Sequence, residues 1–177
     1  KKIEHLVGVR LDWQNRLTIP MYNQQRELVG LQKILDDGTK RFGFGSQPSG
    51  AVYPIIASGV KLGQCSLIIV VEGYASGSSL YKFISAMYPD ENVCVLVAFS
   101  AANLYPVYEL YRAHVICCDN DETSIRAARN APKFRYGYTK GYDSNDMEME
   151  YWHSDPELVI EMTLKLILES GWRKNDQ

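Results

Sequence analysis

The sequence predicts an α/β protein, in which a small β-rich N-terminal subdomain precedes a parallel sheet flanked by helices. Strand-like and helical patterns alternate from about residue 64 onward, and this alternation favours parallel strands with right-handed crossovers. The first 60 residues instead carry strand and turn patterns. Two very apolar runs end directly in carboxylates, which is unusual for a purely structural sheet. We place the subdomain at residues 1–60 and the α/β domain, with its C-terminal helix, at 61–177.

The N-terminal subdomain is predicted from short alternating segments separated by turn residues. Asn23 to Arg26 is a plausible hairpin connection between two strands, and Asp36-Asp37-Gly38-Thr39 is a turn signal. A loop punctuated by glycines follows over 41–50. The predicted strands of this part are 16–22, 28–34 and 51–56.

The α/β domain is predicted from apolar runs and helical spacing. Leu80, Phe83, Ile84 and Met87 recur at helical intervals, and Pro106 weakens the helix predicted around it. The predicted strands are 67–71, 92–99, 114–118 and 134–138, and the predicted helices are 77–87, 102–112, 121–130 and 156–170.

Bulk composition narrows the functional classes. The net charge of −2 gives no global signature of nucleic-acid binding, although it leaves room for a local basic groove. The 4 cysteines and 3 histidines show no ligand spacing, so we expect reduced thiols and no zinc. No signal peptide or membrane-spanning apolar run is visible, so we expect a cytoplasmic protein without membrane contact. The chain begins Lys1-Lys2-Ile3 without a methionine, as a piece of a longer polypeptide would.

The strand ends carry the candidate chemistry. Glu72 follows the first strand of the α/β domain, and Asp119 and Asp121 follow the third. The carboxyl ends of parallel strands share one edge of a sheet, where ligands of open α/β sheets bind. Asp143 and Asp146 follow the fourth strand and could reach the same edge. We therefore expect these acids to converge although they are far apart in the sequence.

Converging carboxylates repel one another, and a divalent cation relieves that repulsion. Mg²⁺ prefers oxygen ligands and retains waters that a phosphate can replace, which suits phosphoryl transfer. A carboxylate left off the metal could move protons. We expect Asp119→Ala or Asp121→Ala to abolish metal-dependent activity while stability holds or rises slightly. The alternative is that these acids are solvated turn or helix-cap residues.

A glycine and serine segment follows Glu72. Gly73 and Ser78 belong to a turn that enters a helix, and backbone amides at a helix N-terminus can hold a phosphate. The alternative is a tight strand-to-helix turn with a serine cap.

Four ordered blocks resemble the Toprim fold found in bacterial-type primases, topoisomerases and some nucleases. The segment from Val71 to Leu80 resembles the E-G-Y-A-T-G-x-S-L version found in primases and primase-helicases of phages, plasmids and integrated elements. V-A-F-S-A-A-N-L at 97–104 resembles that group's V-A-F-D-A-G-N-L. C-D-N-D at 118–121 and D-S-N-D at 143–146 are similar to its A-D-N-D and D-x-N-D. Including the N-terminal segment, the resemblance covers about residues 15 to 150.

The resemblance implies a role for each matching residue. Glu72 would be the acid/base carboxylate or a metal ligand, Asp119 and Asp121 would bind metal, and Asp146, with Asp143, would assist a second Mg²⁺ or Mn²⁺. Asn103 would help shape the pocket. The basic matches would meet template or nucleotide phosphates, or, as the alternative, are ordinary solvated surface residues: Lys33, Lys40 and Arg41.

The function implied is that of a DNA primase catalytic core of a phage or mobile element. It would hold single-stranded DNA and NTPs and work with a replicative helicase or a helicase domain of the same polypeptide. Ser100 stands where the group has aspartate, and Ala102 where it has glycine. Two alternatives stay open: a Toprim nuclease that cleaves phosphodiesters, and a non-catalytic module that binds nucleic acid or protein.

Overall fold

The computed structural model describes residues 8–132, 134–136 and 154–169. Their backbone forms two sheets and four α-helices, with a short 3-10 helix at Leu62–Gln64. The first sheet has four antiparallel strands in the order β1-β2-β3-β4. These strands are β1 (Arg10–Leu11), β2 (Leu17–Tyr22), β3 (Leu28–Ile34) and β4 (Lys40–Phe42).

The second sheet has five strands in the order β5-β7-β6-β8-β9, and all but β5 run parallel. Each crossover between its parallel strands carries a helix, as the alternation of the sequence predicted. The strands are β5 (Tyr53–Ile56), β6 (Leu67–Val71), β7 (Val93–Val97), β8 (Val115–Cys118) and β9 (Phe134–Tyr136). The helices are α1 (Tyr74–Met87), α2 (Ala101–Tyr111), α3 (Glu122–Ala128) and α4 (Pro156–Glu169).

Both faces of the five-stranded sheet are covered, which explains why its strands read as continuous apolar runs. One face packs against α1 and against Ile19 and Met21 of β2. The opposite face packs against Leu104 and Val107 of α2 and against α3. The central strand β6 is buried along its whole length, so only the strand ends are available for chemistry.

The predicted fold class is confirmed, with one rearrangement. The strand predicted at 51–56 within the N-terminal subdomain belongs to the second sheet, where β5 pairs antiparallel with β7. A single bridge between Tyr22 and Val52 connects it to the first sheet. An apolar strand pattern does not reveal its pairing partner, so the sequence could not place it.

The helix after Glu72 also begins earlier than predicted, at Tyr74, with Gly73 as its N-cap. The close approach of this helix to the sheet explains Gly77, because a β-carbon there would lie 2.9 Å from Cγ2 of Val71. Within the residues that the structure describes, no helix is both long and apolar enough to cross a bilayer.

Candidate active site

The candidate site lies at the carboxyl end of β6 and β8, which are adjacent parallel strands. Glu72 follows β6 and Asp119 follows β8, so the predicted neighbourhood of these two positions is present. Helix α1, which follows β6, packs on one face of the sheet, whereas α3, which follows β8, packs on the other. In open α/β sheets, ligands bind at strand ends where the helices diverge in this way.

Ser124 joins the two acidic segments. Its hydroxyl Oγ lies 3.0 Å from Oε2 of Glu72 and 2.9 Å from Oδ2 of Asp121. A hydroxyl has one proton and donates to only one of these carboxylates at a time. Two carboxylates that belong to different strand ends therefore flank a single oxygen atom.

The charges of all three predicted acids affect the pKa of the Cys118 thiol. Cys118 is the last residue of β8 and is buried. Its pKa is raised to about 12, chiefly by burial and further by the negative charges of Asp119, Asp121 and Glu72. The thiol is therefore protonated at neutral pH, and the negative charges of all three predicted acids contribute to keeping it so.

Asp121 is also the N-cap of α3. Its Oδ1 accepts the backbone N–H of Ser124 at 3.0 Å, and this hydrogen bond is the main reason that the pKa of Asp121 lies below its ordinary value. Asp121 is therefore a helix cap, which was the alternative raised from the sequence. It also lies close to Glu72, because both carboxylates contact Ser124. A capping carboxylate is held in one orientation, which also fixes its second oxygen beside Ser124.

The residues present offer hard oxygen donors of the kind that Mg²⁺ or Mn²⁺ binds. Across the described ranges, however, no three acidic, histidine or cysteine side chains meet closely enough to hold a metal ion. The arrangement fits a cation in one respect: Glu72 and Asp121 already converge on a common point, which the Ser124 hydroxyl occupies. Asp143 and Asp146, predicted to help a second metal, lie outside the described residues.

Lys40 reaches this site from the first sheet. Its ammonium Nζ lies 3.3 Å from the position that a β-carbon on Gly73 would occupy. Gly73 directly follows Glu72 and caps the N-terminus of α1, where unpaired backbone N–H groups favour anions. A lysine ammonium and a helix N-terminus thus lie next to the residue that follows Glu72.

Lys33 and Arg41 lie on the opposite face of the first sheet from Lys40. In the strand register, Lys33 is directly opposite both Thr18 and Arg41, and Thr18 is opposite Arg10. Directly opposed residues share a face, and neighbours along a strand alternate. The three predicted basic residues therefore lie in two places. Lys40 is beside the acids, whereas Lys33 and Arg41 belong, with Arg10, to a separate row of cations that we call the basic row.

That row is only partly neutralised. Asp12 forms ion pairs with Arg16 at 2.6 Å and with Lys33 at 3.5 Å. The Arg16 hydrogen bond to its side chain is the largest cause that holds the pKa of Asp12 far below its ordinary value. Arg41 is exposed, and like charges directly opposite each other, as in the Lys33–Arg41 pair, destabilise a sheet. An anionic partner would relieve this repulsion.

Asn103 and Ser78 are placed for packing. The Asn103 amide nitrogen lies 2.9, 3.1 and 2.9 Å from the carbonyl oxygens of Pro48, Ala51 and Ala98, and its oxygen accepts the Gly50 N–H. This buried amide ties the loop that precedes β5 to the end of β7. Ser78 is half-buried inside α1, and within the described residues its buried Oγ has no hydrogen-bond partner.

Sequence reasoning missed three residues around Glu72. Ser124 carried a signal, since it stands three residues after a predicted N-cap, where capping contacts are made. Phe99 has a φ of 70°, and its N–H donates to the Glu72 carbonyl at 2.9 Å. Gln32 is buried in β3 and donates to the Phe99 carbonyl at 3.3 Å. No pattern in the sequence marks the last two contacts.

Comparison with known proteins gives one curated sequence relative and several similar structures. No family model matches the chain. DNA primase TraC of Escherichia coli is 25% identical over 139 residues, which are 75% of this chain and 9% of that protein. The chain therefore spans only a small part of this relative's length.

The similar structures are primases. The chain aligns with a bacteriophage T7 lagging-strand DNA polymerase structure that contains primase domains of gp4, at a TM-score of 0.57 and 16% identity, covering 84% of this chain and 76% of the other. For the primase fragment of the bacteriophage T7 primase-helicase protein the TM-score is 0.55 at 16% identity, covering 89% and 63%. For the DnaG primase catalytic domain bound to ssDNA it is 0.51 at 15% identity, covering 92% and 61%.

These structures establish the fold, and TraC adds a relationship in sequence. The predicted resemblance of this chain to a Toprim-type primase core is thus confirmed.

Proposed function

We propose that this chain is the catalytic core of a DNA primase that joins ribonucleotides on a single-stranded DNA template with the help of Mg²⁺ or Mn²⁺. The observation that carries the proposal is the meeting of Glu72 and Asp121 on the Ser124 hydroxyl, with Asp119 at the end of β8 and the Lys40 ammonium beside Gly73. The sequence relationship to TraC supports the choice of primase chemistry.

In this proposal, Glu72, Asp119 and Asp121 hold a divalent cation, and Asp146, with Asp143, assists a second one. When bound, such ions neutralise charge on phosphate oxygens and orient the reacting groups. The Ser124 hydroxyl then keeps its contact with one carboxylate and steadies it. Glu72 is also the residue best placed to accept the proton of an attacking hydroxyl, because it is half-buried at the strand end.

Lys40 binds the triphosphate of the incoming nucleotide. Its ammonium stands beside Gly73 and the N-terminus of α1, so lysine and backbone N–H groups would face the same phosphates. Gly73 is suited to this place because a larger residue would press on the Lys40 ammonium.

Arg10, Lys33 and Arg41 hold the template backbone on the outer face of the first sheet. The row has more positive than negative charge even after Asp12 is counted, and phosphate contacts of this kind supply affinity without sequence preference. Phe44 is fully exposed in the neighbouring loop, where a base could stack on it. A cytoplasmic phage or mobile-element setting and a helicase partner complete the proposal.

The test is primer synthesis from NTPs on single-stranded DNA, with and without Mn²⁺. Glu72→Gln should lower the rate more than about 100-fold, since even outer-shell partners of metal ligands cost 10–100-fold. Glu91→Gln is the matched control, because Glu91 also accepts a serine hydroxyl, that of Ser66 at 2.7 Å, at the opposite end of β6. It should retain wild-type activity.

Other results would overturn the proposal. Degradation of the template without NTPs, lost in Glu72→Gln, would identify a nuclease. A wild-type protein that neither synthesises nor cleaves, and whose DNA binding is unchanged by Glu72→Gln, would identify a non-catalytic binding module. Equal loss in Glu72→Gln and Glu91→Gln would mean that the carboxylate has no special role.

A further inference from the structure

The contact between Gln32 and Phe99 joins the first sheet to a residue whose N–H is hydrogen-bonded to the Glu72 carbonyl. Gln32 lies in β3 of the first sheet and is only 2% exposed. Its Nε2 donates to the Phe99 carbonyl oxygen at 3.3 Å, across 67 residues of sequence. Phe99 lies just beyond the end of β7, the strand beside β6.

Phe99 adopts a backbone conformation that needs support. Its φ of 70° lies in the left-handed region, where a bulky side chain is strained. Such strain persists only where surrounding contacts enforce it, and it concentrates at functional sites. Three contacts enforce it here: the ring is buried in the core, the N–H donates to the Glu72 carbonyl at 2.9 Å, and the carbonyl accepts from Gln32.

Stability alone does not account for an amide at position 32. Within the described part of the chain, Gln32 Oε1 is buried and has no hydrogen-bond partner. A buried acceptor without a donor costs free energy that an apolar side chain of the same length would avoid. The remaining function of the amide is the bond that its Nε2 makes to Phe99.

We propose that Gln32 is a positioning residue for Glu72. Its amide holds the Phe99 carbonyl, the strained Phe99 holds the Glu72 carbonyl, and the Glu72 carboxylate is thereby kept beside Ser124 and Asp121. β3 then carries two roles in adjacent residues, since Lys33 faces outward with the basic row. The expected effect on cation binding rests on the proposed function. The hydrogen-bonded link from Gln32 through Phe99 to Glu72 does not.

The test compares Gln32→Met with Thr18→Val. Methionine keeps the unbranched length of glutamine, is only slightly larger and removes the amide. Thr18 is the matched control, because it is a buried polar residue of the same sheet on the opposite face, with its hydroxyl 3.4 Å from the Arg16 carbonyl. The rate of hydrogen exchange at the Phe99 amide measures whether the link is intact. The affinity for Mn²⁺ measures whether the link affects Glu72.

In Gln32→Met we expect the melting temperature to hold or rise while exchange at the Phe99 amide accelerates about tenfold, as loss of one hydrogen bond produces. Mn²⁺ affinity should fall about tenfold, the lower end for outer-shell partners of metal ligands. Thr18→Val should change neither quantity.

Unchanged exchange at Phe99 in Gln32→Met would overturn the inference. So would faster exchange with unchanged Mn²⁺ affinity in a protein whose wild type binds Mn²⁺. A wild type that binds no Mn²⁺ would instead contradict the proposed function, and the exchange comparison would still decide the link.

Discussion

The two sheets of this protein present their functional residues in different ways. In the four-stranded sheet, neighbouring residues of one strand point to different faces: Lys40 lies beside Gly73, next to the acids, whereas Arg41 belongs to the basic row on the other face. The five-stranded sheet is covered on both faces, so neighbours such as Val70 and Val71 are equally buried. Its chemistry is therefore confined to the strand ends, where Glu72, Asp119 and Asp121 lie. Under the proposed function, the face of the strand decides the role of a residue in the first sheet, and its position at the strand end decides it in the second.

The largest expected effect separates Lys40 from Arg41. Lys40→Met should raise the KM for nucleotides on the order of 100-fold, because hydrogen bonds to charged groups contribute up to ~3 kcal/mol. Arg41→Met should leave that KM unchanged and weaken single-stranded DNA binding instead, with the salt slope reduced by about 1. Steady-state kinetics and DNA titrations at several salt concentrations measure the two effects. Similar phenotypes for both variants would contradict the division by face.

The matching pair in the five-stranded sheet should show no such division. Val70→Ala and Val71→Ala should each lower the free energy of unfolding by about 2 kcal/mol, since each removes buried methyl groups from a packed core. Urea denaturation measures both. A large loss in one variant and none in the other would show that one face of this sheet is open after all.

A smaller effect is expected at the strand end. Asp121→Ala should destabilise the protein by about 1 kcal/mol, because Asp121 caps α3 through the Ser124 N–H. Asp121→Asn should lose metal-dependent activity while keeping most of this stability, since asparagine is also a good N-cap. The structure thus revises the expectation from sequence that Asp121→Ala would hold or gain stability. Equal stability of wild type and Asp121→Ala in urea denaturation would restore that earlier expectation.

Acidic pH should reduce the difference in stability between wild type and Asp121→Ala. The pKa of Asp121 is lowered in the folded protein, so its contribution to stability is present above the ordinary aspartate pKa and is lost as pH falls through the folded value. The gap between wild type and Asp121→Ala should therefore be full at pH 7 and shrink below about pH 4. A stability difference that grows on acidification would contradict the lowered pKa of Asp121 in the folded protein.

The sequence predicts the strand ends of the second sheet better than the strand faces of the first. Buried parallel strands, their order along the chain and the acids at their ends are written in apolar runs, so the meeting of Glu72 with Asp121 was predictable. Which face Lys40 and Arg41 occupy depends on strand register, which a three-residue strand does not specify. The left-handed Phe99 and its bond to Gln32 depend on tertiary contacts alone, since phenylalanine normally avoids that conformation.

Under the proposed function, acids from two strand ends share one cation. A crystal soaked in Mn²⁺ and measured for anomalous scattering would locate that cation. We expect a peak at roughly 2.2 Å from carboxylate oxygens of Glu72 and of Asp119 or Asp121, with the Ser124 hydroxyl displaced from between them. A saturating soak without density there, or with Mn²⁺ held only elsewhere on the surface, would contradict the account.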